Sequence, residues 1–360
     1  MRIVFAAGGT GGHILPAISV ADELRARGSG FEALFVGTRL GLEGRLVPAA
    51  GYEIRFIRAG GLRGKGIAAR IRNIASMAVG FFQSLGILFR FRPDVVFGSG
   101  GYASAAVVLA AALLRKRVVI QEQNSIPGLT NRLLARCAGR IYLGFAKASE
   151  YFGNRRGIVV TGNPLRERVV VSGRVDARAA FGLETEKPVL LVFGGSQGAR
   201  TLNRAAAGYL MARENVQAII QTGTQDYEWV MERLGGQKQR CFIRPYLDDM
   251  HCAYAVASVG LARAGALSVS EIAAVALPSI LVPYPHAADN HQFYNASFLA
   301  EAGGAIIIAD SDLNESTLAA ALDPLLADAA RLAAMKRSLA GIARKDAAKV
   351  IADDMLAIAS

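Results

Sequence analysis

Short apolar runs rich in valine and isoleucine alternate with longer stretches rich in alanine and leucine along this 360-residue chain. This alternation is typical of parallel β-sheets whose strands are connected by crossover helices. The series starts again after the charged, proline-closed stretch at residues 184–188. We therefore predict two doubly wound α/β domains. The predicted strands cover residues 2–7, 32–37, 94–98, 117–120, 140–143 and 157–161, and then 189–193, 216–222, 241–244, 256–262, 278–282 and 304–308.

The domain boundaries follow from this repeat. We predict an N-terminal Rossmann-like domain over residues 1–163 and a C-terminal Rossmann-like domain over residues 164–340. A chain of this length with 52% apolar residues can bury two separate cores. Residues 341–360 carry no strand pattern. We expect them to form a C-terminal helix that packs back on the N-terminal domain.

Three glycine-rich loops each follow a predicted strand and precede a predicted helix, at residues 8–12, 98–102 and 194–199. Backbone N–H groups and the helix dipole favour an anion at such a position. Glycine allows the backbone to turn tightly and to approach a ligand closely. Three such loops in one chain predict a phosphorylated ligand.

The common nucleotide motifs fit this chain poorly. The first loop lacks the G-x-G-x-x-G spacing of dinucleotide-binding folds, and the second predicted strand ends in Gly37-Thr38 instead of an acid. The stretch from Gly98 to Ala103 fits that spacing better, but it lies in the middle of its domain. The Walker pattern of ATP-binding loops is absent from the sequence. We therefore predict no cofactor.

The positive charge lies in the first half of the chain. Residues 1–173 carry 24 Lys or Arg against 9 acids, whereas residues 174–360 carry 17 against 20. This asymmetry favours an anionic partner for the first half, which could be nucleic acid, acidic lipid or a phosphorylated substrate. No recognised nucleic-acid-binding module accompanies the charge, so we predict no nucleic-acid partner.

Residues 54–92 hold eight Lys or Arg and no acid, with apolar residues at intervals of three and four. The spacing predicts an amphipathic helix. Packing of a crossover helix on the sheet explains most of the apolar stripe. It does not explain the one-sided charge around Phe81 and Phe82, which is typical of a surface that rests on anionic lipid.

The chain shows no sign of secretion or of a membrane span. Its three cysteines, Cys137, Cys241 and Cys252, form no C-x-x-C pair, which favours a reduced, cytosolic setting. The N-terminus reaches glycines before a signal-peptide core can form. The longest weakly polar runs, 74–89 and 102–114, are shorter than the ~20 residues that span a bilayer. We expect a soluble protein or one that lies on a membrane.

No metal site is predicted. The only D-x-D pair, Asp310 and Asp312, lies just before a predicted helix, and we expect it to cap that helix. His286, Asp289 and His291 could be metal ligands, but the sequence offers no clear fourth ligand.

Six motifs occur together in an order and spacing that resemble the MurG family, bacterial transferases of peptidoglycan synthesis. The resemblance covers nearly the whole chain. The motifs are GGTGGH at 8–13, GGY at 100–102, EQN at 122–124, GNPLR at 162–166, GGSQGAR at 194–200 and GALSVSE at 265–271.

The resemblance implies a GT-B fold, in which two Rossmann-like doubly wound domains face each other across a cleft. It also implies a metal-independent, inverting transfer of GlcNAc from UDP-GlcNAc to the C4 hydroxyl of undecaprenyl-diphosphate-linked MurNAc-pentapeptide, at the cytoplasmic face of the inner membrane. A related lipid glycosyltransferase, such as one acting on diacylglycerol, and a non-catalytic nucleotide-sugar-binding scaffold are the alternatives. The sequence does not decide the oligomeric state.

Two residues are candidates for the catalytic base that the acceptor hydroxyl needs. His13 is predicted at a helix N-terminus, where the dipole disfavours a positive charge and leaves a ring nitrogen able to accept a proton. It could equally donate a hydrogen bond to phosphate. Glu122 is the rival base. Gln121 stands where many members of the family have histidine.

The resemblance also implies the remaining site residues. Glu271 could hold a ribose diol, and it also forms a capping-box pattern with Ser268, a role that does not exclude the first. The substrate-binding residues are Thr10, Gly11, Gly12, Asn124, Arg166, Ser196, the backbone of Leu247, Ala266, Leu267, Ser268, Val269, Ser270, Glu271 and Gln292, with Gly100, Gly101 and Tyr102 on the acceptor side.

Overall fold

The computed structural model forms two compact units, residues 1–166 with 345–360 and residues 167–344. The N-terminal part of the first unit thus ends at Arg166. The C-terminal residues 345–360 also belong to this unit. The structure describes residues 1–28, 30–60, 67–170, 177–184, 186–195, 197–237 and 240–359.

The first unit contains a seven-stranded parallel sheet in the order β3-β2-β1-β4-β5-β6-β7. Its strands are β1 (Arg2–Ala6), β2 (Glu32–Gly37), β3 (Glu53–Phe56), β4 (Val95–Gly98), β5 (Arg117–Glu122), β6 (Arg140–Leu143) and β7 (Ile158–Val160). Its helices are α1 (Gly11–Ala26), α2 (Glu43–Ala49), α3 (Ile67–Phe91), α4 (Gly101–Leu113), α5 (Leu129–Leu134) and the C-terminal α15 (Ala347–Ala359), with 3-10 turns at Ala135–Cys137 and Ala146–Tyr151.

The second unit contains a six-stranded parallel sheet in the order β10-β9-β8-β11-β12-β13. Its strands are β8 (Val189–Phe193), β9 (Gln217–Gln221), β10 (Cys241–Arg244), β11 (Val259–Ala262), β12 (Ser279–Leu281) and β13 (Ala305–Ile307). Its helices are α6 (Glu167–Val170), α7 (Ala177–Ala180), α8 (Arg200–Met211), α9 (Tyr227–Leu234), α10 (Met250–Val256), α11 (Ala266–Ala274), α12 (His291–Glu301), α13 (Glu315–Ala327) and α14 (Ala329–Ile342), with 3-10 turns at Gly235–Gln237 and Ala288–Asn290.

Both sheets are buried on their two faces, which explains why their strands are continuous apolar runs and not alternating ones. In β1, Val4 packs with the layer formed by α3 and α4, whereas Ile3 and Phe5 pack with the layer formed by α1 and α15. The prediction of two doubly wound Rossmann-like domains is confirmed.

Strand β3 is absent from the predicted strands. Ile54 to Phe56, at the start of the basic segment, belong to this strand, and helix α3 begins at Ile67, where the predicted apolar stripe begins. β3 is a four-residue edge strand that pairs with β2 alone, and only half of its side chains face the core. Residues 61–66 of the basic segment lie outside the described residues.

The predicted cap by Asp310 and Asp312 is wrong. Helix α13 begins later, at Glu315, and its N-cap is Asn314, whose side chain accepts a hydrogen bond from the Thr317 amide at 3.0 Å. Thr317 Oγ1 accepts from the Asn314 amide at 2.9 Å, which completes a capping box. Asp310 instead forms an ion pair with Arg263 at 2.6 Å.

The C-terminal helix α15 packs against α1 of the first unit. Tyr142 on strand β6 donates a hydrogen bond to Asp354 at 2.8 Å, and Arg140 pairs with the same carboxylate at 3.1 Å. Burial raises the pKa of the Tyr142 phenol well above its usual range, and the Asp354 carboxylate adds to that effect. A second pair joins Asp353 to Arg27.

Asp354→Ala is expected to destabilise the first unit by about 1–3 kcal/mol, because it leaves the buried Tyr142 hydroxyl without its acceptor. Asp353→Ala is the matched control: its carboxylate is 57% exposed, and its loss should cost less than about 1 kcal/mol. Urea denaturation of both variants measures the difference. Equal losses would show that Asp354 does not anchor the helix.

Candidate functional site

The glycine loops lie where each sheet reverses its strand order. The first sheet reverses between β1 and β4, and the second between β8 and β11. In open parallel sheets, ligands bind outside the carboxyl ends of the strands at this switch point. The loop after β1 therefore lies beside the loop after β4, and the loop after β8 lies beside the one that leads into α11.

A buried carboxylate shapes the first loop. Glu43, which is fully buried, accepts the Gly9 amide at 2.9 Å through Oε2. Its Oε1 accepts hydrogen bonds from the Thr38 amide at 2.7 Å and from the Thr38 hydroxyl at 2.8 Å. The Gly9 amide is thereby engaged, whereas Gly11 and Gly12 lie in the first turn of α1, whose amides have no intrahelical acceptor. Sequence reasoning missed Glu43, because its role depends on contacts with the distant Gly9 loop.

The second loop places the N-terminus of α4 against His13. Gly100 has φ = 92°, and a Cβ there would lie 3.1 Å from His13 Cε1. Glycine is therefore required both by the backbone conformation and by the imidazole ring. Gly101 opens the helix, and Tyr102 is exposed in its first turn.

His13 and Glu122 differ sharply in their surroundings. His13 is the third residue of α1 and partly exposed, and its Nδ1 lies 3.1 Å from Gln123 Oε1. Glu122 is only 2% exposed. Its Oε1 accepts the Asn124 amide at 2.9 Å, and its Oε2 accepts from the Gly128 amide at 3.1 Å and from Asn131 Nδ2 at 2.9 Å. The Glu122 carboxylate thus organises the loop after β5.

In the second unit, Gln221 joins the glycine loop to Leu247. Its Nε2 donates to the Gly195 carbonyl at 2.9 Å, and its Oε1 accepts from the Leu247 amide at 3.0 Å. The Leu247 amide is thereby engaged within the protein. Sequence reasoning missed Gln221, because its role depends on contacts between distant loops. Ser196 lies outside the described residues.

Gly198 makes this loop geometry possible. Its φ is 75°, and a Cβ would lie 1.9 Å from the Thr222 carbonyl oxygen. Gly195 has a similar φ of 84°, but a Cβ there would meet nothing within 4 Å.

Gly198→Ala is therefore expected to cost more stability than Gly195→Ala. Both variants pay about 1–2 kcal/mol for an L-residue at positive φ. Only Gly198→Ala adds the clash with Thr222, which should cost about 1–3 kcal/mol more. Denaturant unfolding compares the two, and equal free energies of unfolding would contradict the close approach of the loops.

Helix α11 starts earlier than the predicted capping box requires. It begins after Gly265, so Ser268 is its third residue and Glu271 its sixth, and the capping-box prediction is wrong. The amides of Ala266, Leu267 and Ser268 lie in the first turn, facing the switch point. The side chain of Val269 is buried, and Ser270 is partly exposed. Tyr254 donates to Glu271 Oε2 at 2.9 Å and so orients this carboxylate.

Gln292 braces the neighbouring loops through its oxygen. Its Oε1 accepts hydrogen bonds from the amides of Ala264 at 3.2 Å and Tyr284 at 2.9 Å. Arg166 is exposed at the end of the first unit. Within the described ranges, no group of three or more His, Cys, Asp or Glu is placed to hold a metal ion.

Two parallel-sheet domains, each with glycine loops at its switch point, have the architecture of the GT-B fold class. The glycosyltransferase family 28 N-terminal domain matches residues 3–143, and the family 28 C-terminal domain matches residues 189–351. The chain belongs to the UDP-N-acetylglucosamine--N-acetylmuramyl-(pentapeptide) pyrophosphoryl-undecaprenol N-acetylglucosamine transferase family, the MurG family. The GT-B and enzyme predictions are confirmed.

Three comparisons give the extent of this similarity. The Geobacter metallireducens transferase is 40% identical over 99% of this chain and 98% of its own length. The Anaeromyxobacter sp. (strain K) transferase is 42% identical over 98% and 92%. The crystal structure of Acinetobacter baumannii MurG matches with a TM-score of 0.78 and 30% identity, over 99% of both chains. A UDP-N-acetylglucosamine 2-epimerase matches with a TM-score of 0.72 at 15% identity, which shows a shared fold alone.

Proposed function

We propose that this protein transfers GlcNAc from UDP-GlcNAc to the C4 hydroxyl of undecaprenyl-diphosphate-linked MurNAc-pentapeptide, with inversion. The observation that carries the proposal is the placement of His13 between two helix N-termini, in a chain 40% identical over nearly its full length to a transferase named for this reaction. The product is a peptidoglycan precursor, which links the enzyme to cell shape and cell division.

The second unit binds the donor. The loop at 194–199 and the first-turn amides of α11 surround the diphosphate, where they stabilise the charge that develops on the leaving UDP. Glu271, oriented by Tyr254, accepts both hydroxyls of the ribose. The backbone of Leu247 contacts the uracil, and the Gln292 amide nitrogen contacts the donor sugar. Ser196 adds a contact to the nucleotide sugar, and Arg166, which belongs to the first unit, is a further substrate-binding residue.

His13 is the base in this reaction. Its Nε2 takes the proton from the C4 hydroxyl as the new oxygen–carbon bond forms at the anomeric carbon and the bond to UDP breaks. Glu122 is a poor base, because both its oxygens already accept hydrogen bonds in a buried setting. We assign Glu122 the role of shaping the acceptor loop that carries Asn124.

The first unit binds the acceptor. The amides of Gly11 and Gly12 at the start of α1, and of Gly101 at the start of α4, supply donors for the acceptor diphosphate. Thr10, Gly100 and Tyr102 line the same end of the sheet, and Asn124 contacts the sugar.

The layer of helices α3, α4 and α5 forms the membrane-facing surface. α3 packs beside α4, and α4 beside α5. Phe82 and Phe89 on α3 are 69% and 70% exposed, and three cations, Arg90, Arg115 and Arg136, are exposed at or just after the C-terminal ends of these helices. Exposed aromatic rings beside cations suit an anionic membrane surface. The same layer exposes Leu109, Leu113, Leu129 and Leu133.

No helix in the described part of the chain is long and apolar enough to cross a bilayer. The exposed rings and cations of the α3, α4 and α5 layer support our placement of the protein as a peripheral enzyme at the cytoplasmic face of the membrane.

UDP release with different acceptors tests the proposal. Purified protein is incubated with UDP-GlcNAc and either undecaprenyl-diphosphate-MurNAc-pentapeptide or diacylglycerol, and UDP is quantified. We expect release with the first acceptor only. Release with diacylglycerol alone would favour the other lipid glycosyltransferase, and release with neither would favour a nucleotide-sugar-binding scaffold.

A further inference from the structure

A buried chain of side-chain amides runs behind His13. Gln123 and Gln121 extend from the end of β5, and Asn163 follows β7. All three are at most 2% exposed. Gln121 Nε2 donates to Asn163 Oδ1 at 2.9 Å, and Asn163 Nδ2 donates to the backbone carbonyl of Gln123 at 3.0 Å.

Backbone carbonyls fix the direction of the Gln123 and Asn163 side chains, and these two side chains fix that of Gln121. Gln123 Nε2 donates to the Ser99 carbonyl at 2.9 Å, and its second hydrogen goes to Gln121 Oε1. A carbonyl oxygen can only accept, so a Gln123 side chain turned by 180° would place two oxygens against each other. The Gln123 oxygen must therefore face His13.

This orientation decides which nitrogen of His13 carries the proton. Gln123 Oε1 lies 3.1 Å from His13 Nδ1 and has no hydrogen to donate. The contact is a hydrogen bond only when Nδ1 bears the hydrogen. In the neutral ring, Nε2 then holds the lone pair.

We propose that Gln123 is a positioning residue that holds His13 in the Nδ1–H tautomer, so that Nε2 is the proton acceptor for the attacking hydroxyl. The catalytic part of this inference rests on the proposed transferase function. After His13 takes the proton, Nδ1 is still a donor and Gln123 still an acceptor. The amide chain therefore needs no rearrangement during the reaction.

The tautomer can be measured without any substrate. Long-range proton–nitrogen NMR on full-length protein labelled with 15N-histidine distinguishes the protonated from the unprotonated ring nitrogen. The chain has four histidines, so the missing signals of His13→Ala assign His13. We expect protonated Nδ1 and unprotonated Nε2 in the neutral ring. A neutral ring protonated at Nε2 would overturn the proposal whether or not the protein transfers GlcNAc.

Two substitutions then separate Gln123 from its buried neighbours. Gln123→Met keeps the length of the side chain but removes the acceptor, so the Nδ1–H form should lose its dominance. We expect kcat to fall about tenfold or more, a part of the roughly 10²–10⁴-fold supplied by a positioned base, with the KM for UDP-GlcNAc little changed. Gln121→Met is the matched control, since Gln121 is equally buried but does not contact His13.

We expect Gln121→Met to keep the Nδ1–H tautomer, because the Ser99 carbonyl still orients Gln123. Three results would overturn the role of Gln123. They are an unchanged tautomer in Gln123→Met, a changed tautomer with an unchanged kcat, and the same loss of the Nδ1–H form in Gln121→Met.

Discussion

His13→Ala is expected to lower kcat by roughly 10²–10⁴-fold, the contribution of a positioned general base. The substitution removes the imidazole ring of the first turn of α1, which lies against Gly100 and Gly101 at the N-terminus of α4. The affinity for UDP, measured by calorimetric titration, should stay close to that of the unaltered protein, because the donor loops belong to the second unit.

Two matched variants accompany this measurement. His251→Ala removes a histidine of α10, outside the loops at the switch points, and should leave kcat nearly unchanged. Glu122→Gln replaces one carboxylate oxygen by an amide group that faces the donors of Asn124 or Asn131, so it should lower the thermal stability. Lost UDP affinity in His13→Ala with kcat retained would make His13 a phosphate ligand instead of the base.

The double substitution Phe82→Ser and Phe89→Ser should weaken binding to anionic vesicles about 100-fold. Burying a phenylalanine ring contributes about 1.5–3 kcal/mol, and two rings that insert even partly contribute enough for this change. The rings lie seven residues apart and are both exposed, so they project from the same face of α3. Sedimentation with vesicles of phosphatidylglycerol and phosphatidylethanolamine measures the binding.

Leu356→Ser is the control for this loss. Leu356 is also exposed, but it lies on α15, in the layer on the opposite face of the sheet. Its substitution should not change vesicle binding. If it weakened binding as much as the double substitution does, or if the double variant still sedimented fully, the surface of α3, α4 and α5 would not be the membrane contact.

Sequence reasoning located the strands that are continuous apolar runs. The apolar runs at 140–143 and 189–193 match β6 and β8 residue for residue. The strand predicted to end at Ile120 continues through Gln121 and Glu122, two buried polar residues. Their burial is possible only because distant partners satisfy them, which a local pattern cannot reveal.

Some features of the candidate site could be predicted from the sequence and others could not. The glycine loops were predictable, because a backbone with positive φ or a close approach to a neighbour requires glycine, which is visible in the sequence. Glu43 and Gln221 were not, since each joins loops that are far apart in the chain. Both predicted helix caps were wrong, because Gly265 and Asn314, and not the nearby Ser268 or Asp312, lie where the helices actually begin.

The stereochemistry of the product tests the transfer most directly. The donor carries GlcNAc in an α-linkage to UDP, and the single displacement that we propose, with His13 as the base, would reverse that configuration. NMR of the product formed from the MurNAc-pentapeptide acceptor should therefore show GlcNAc β-linked to C4 of MurNAc. An α-linked product, or a linkage to another hydroxyl, would contradict the proposed reaction.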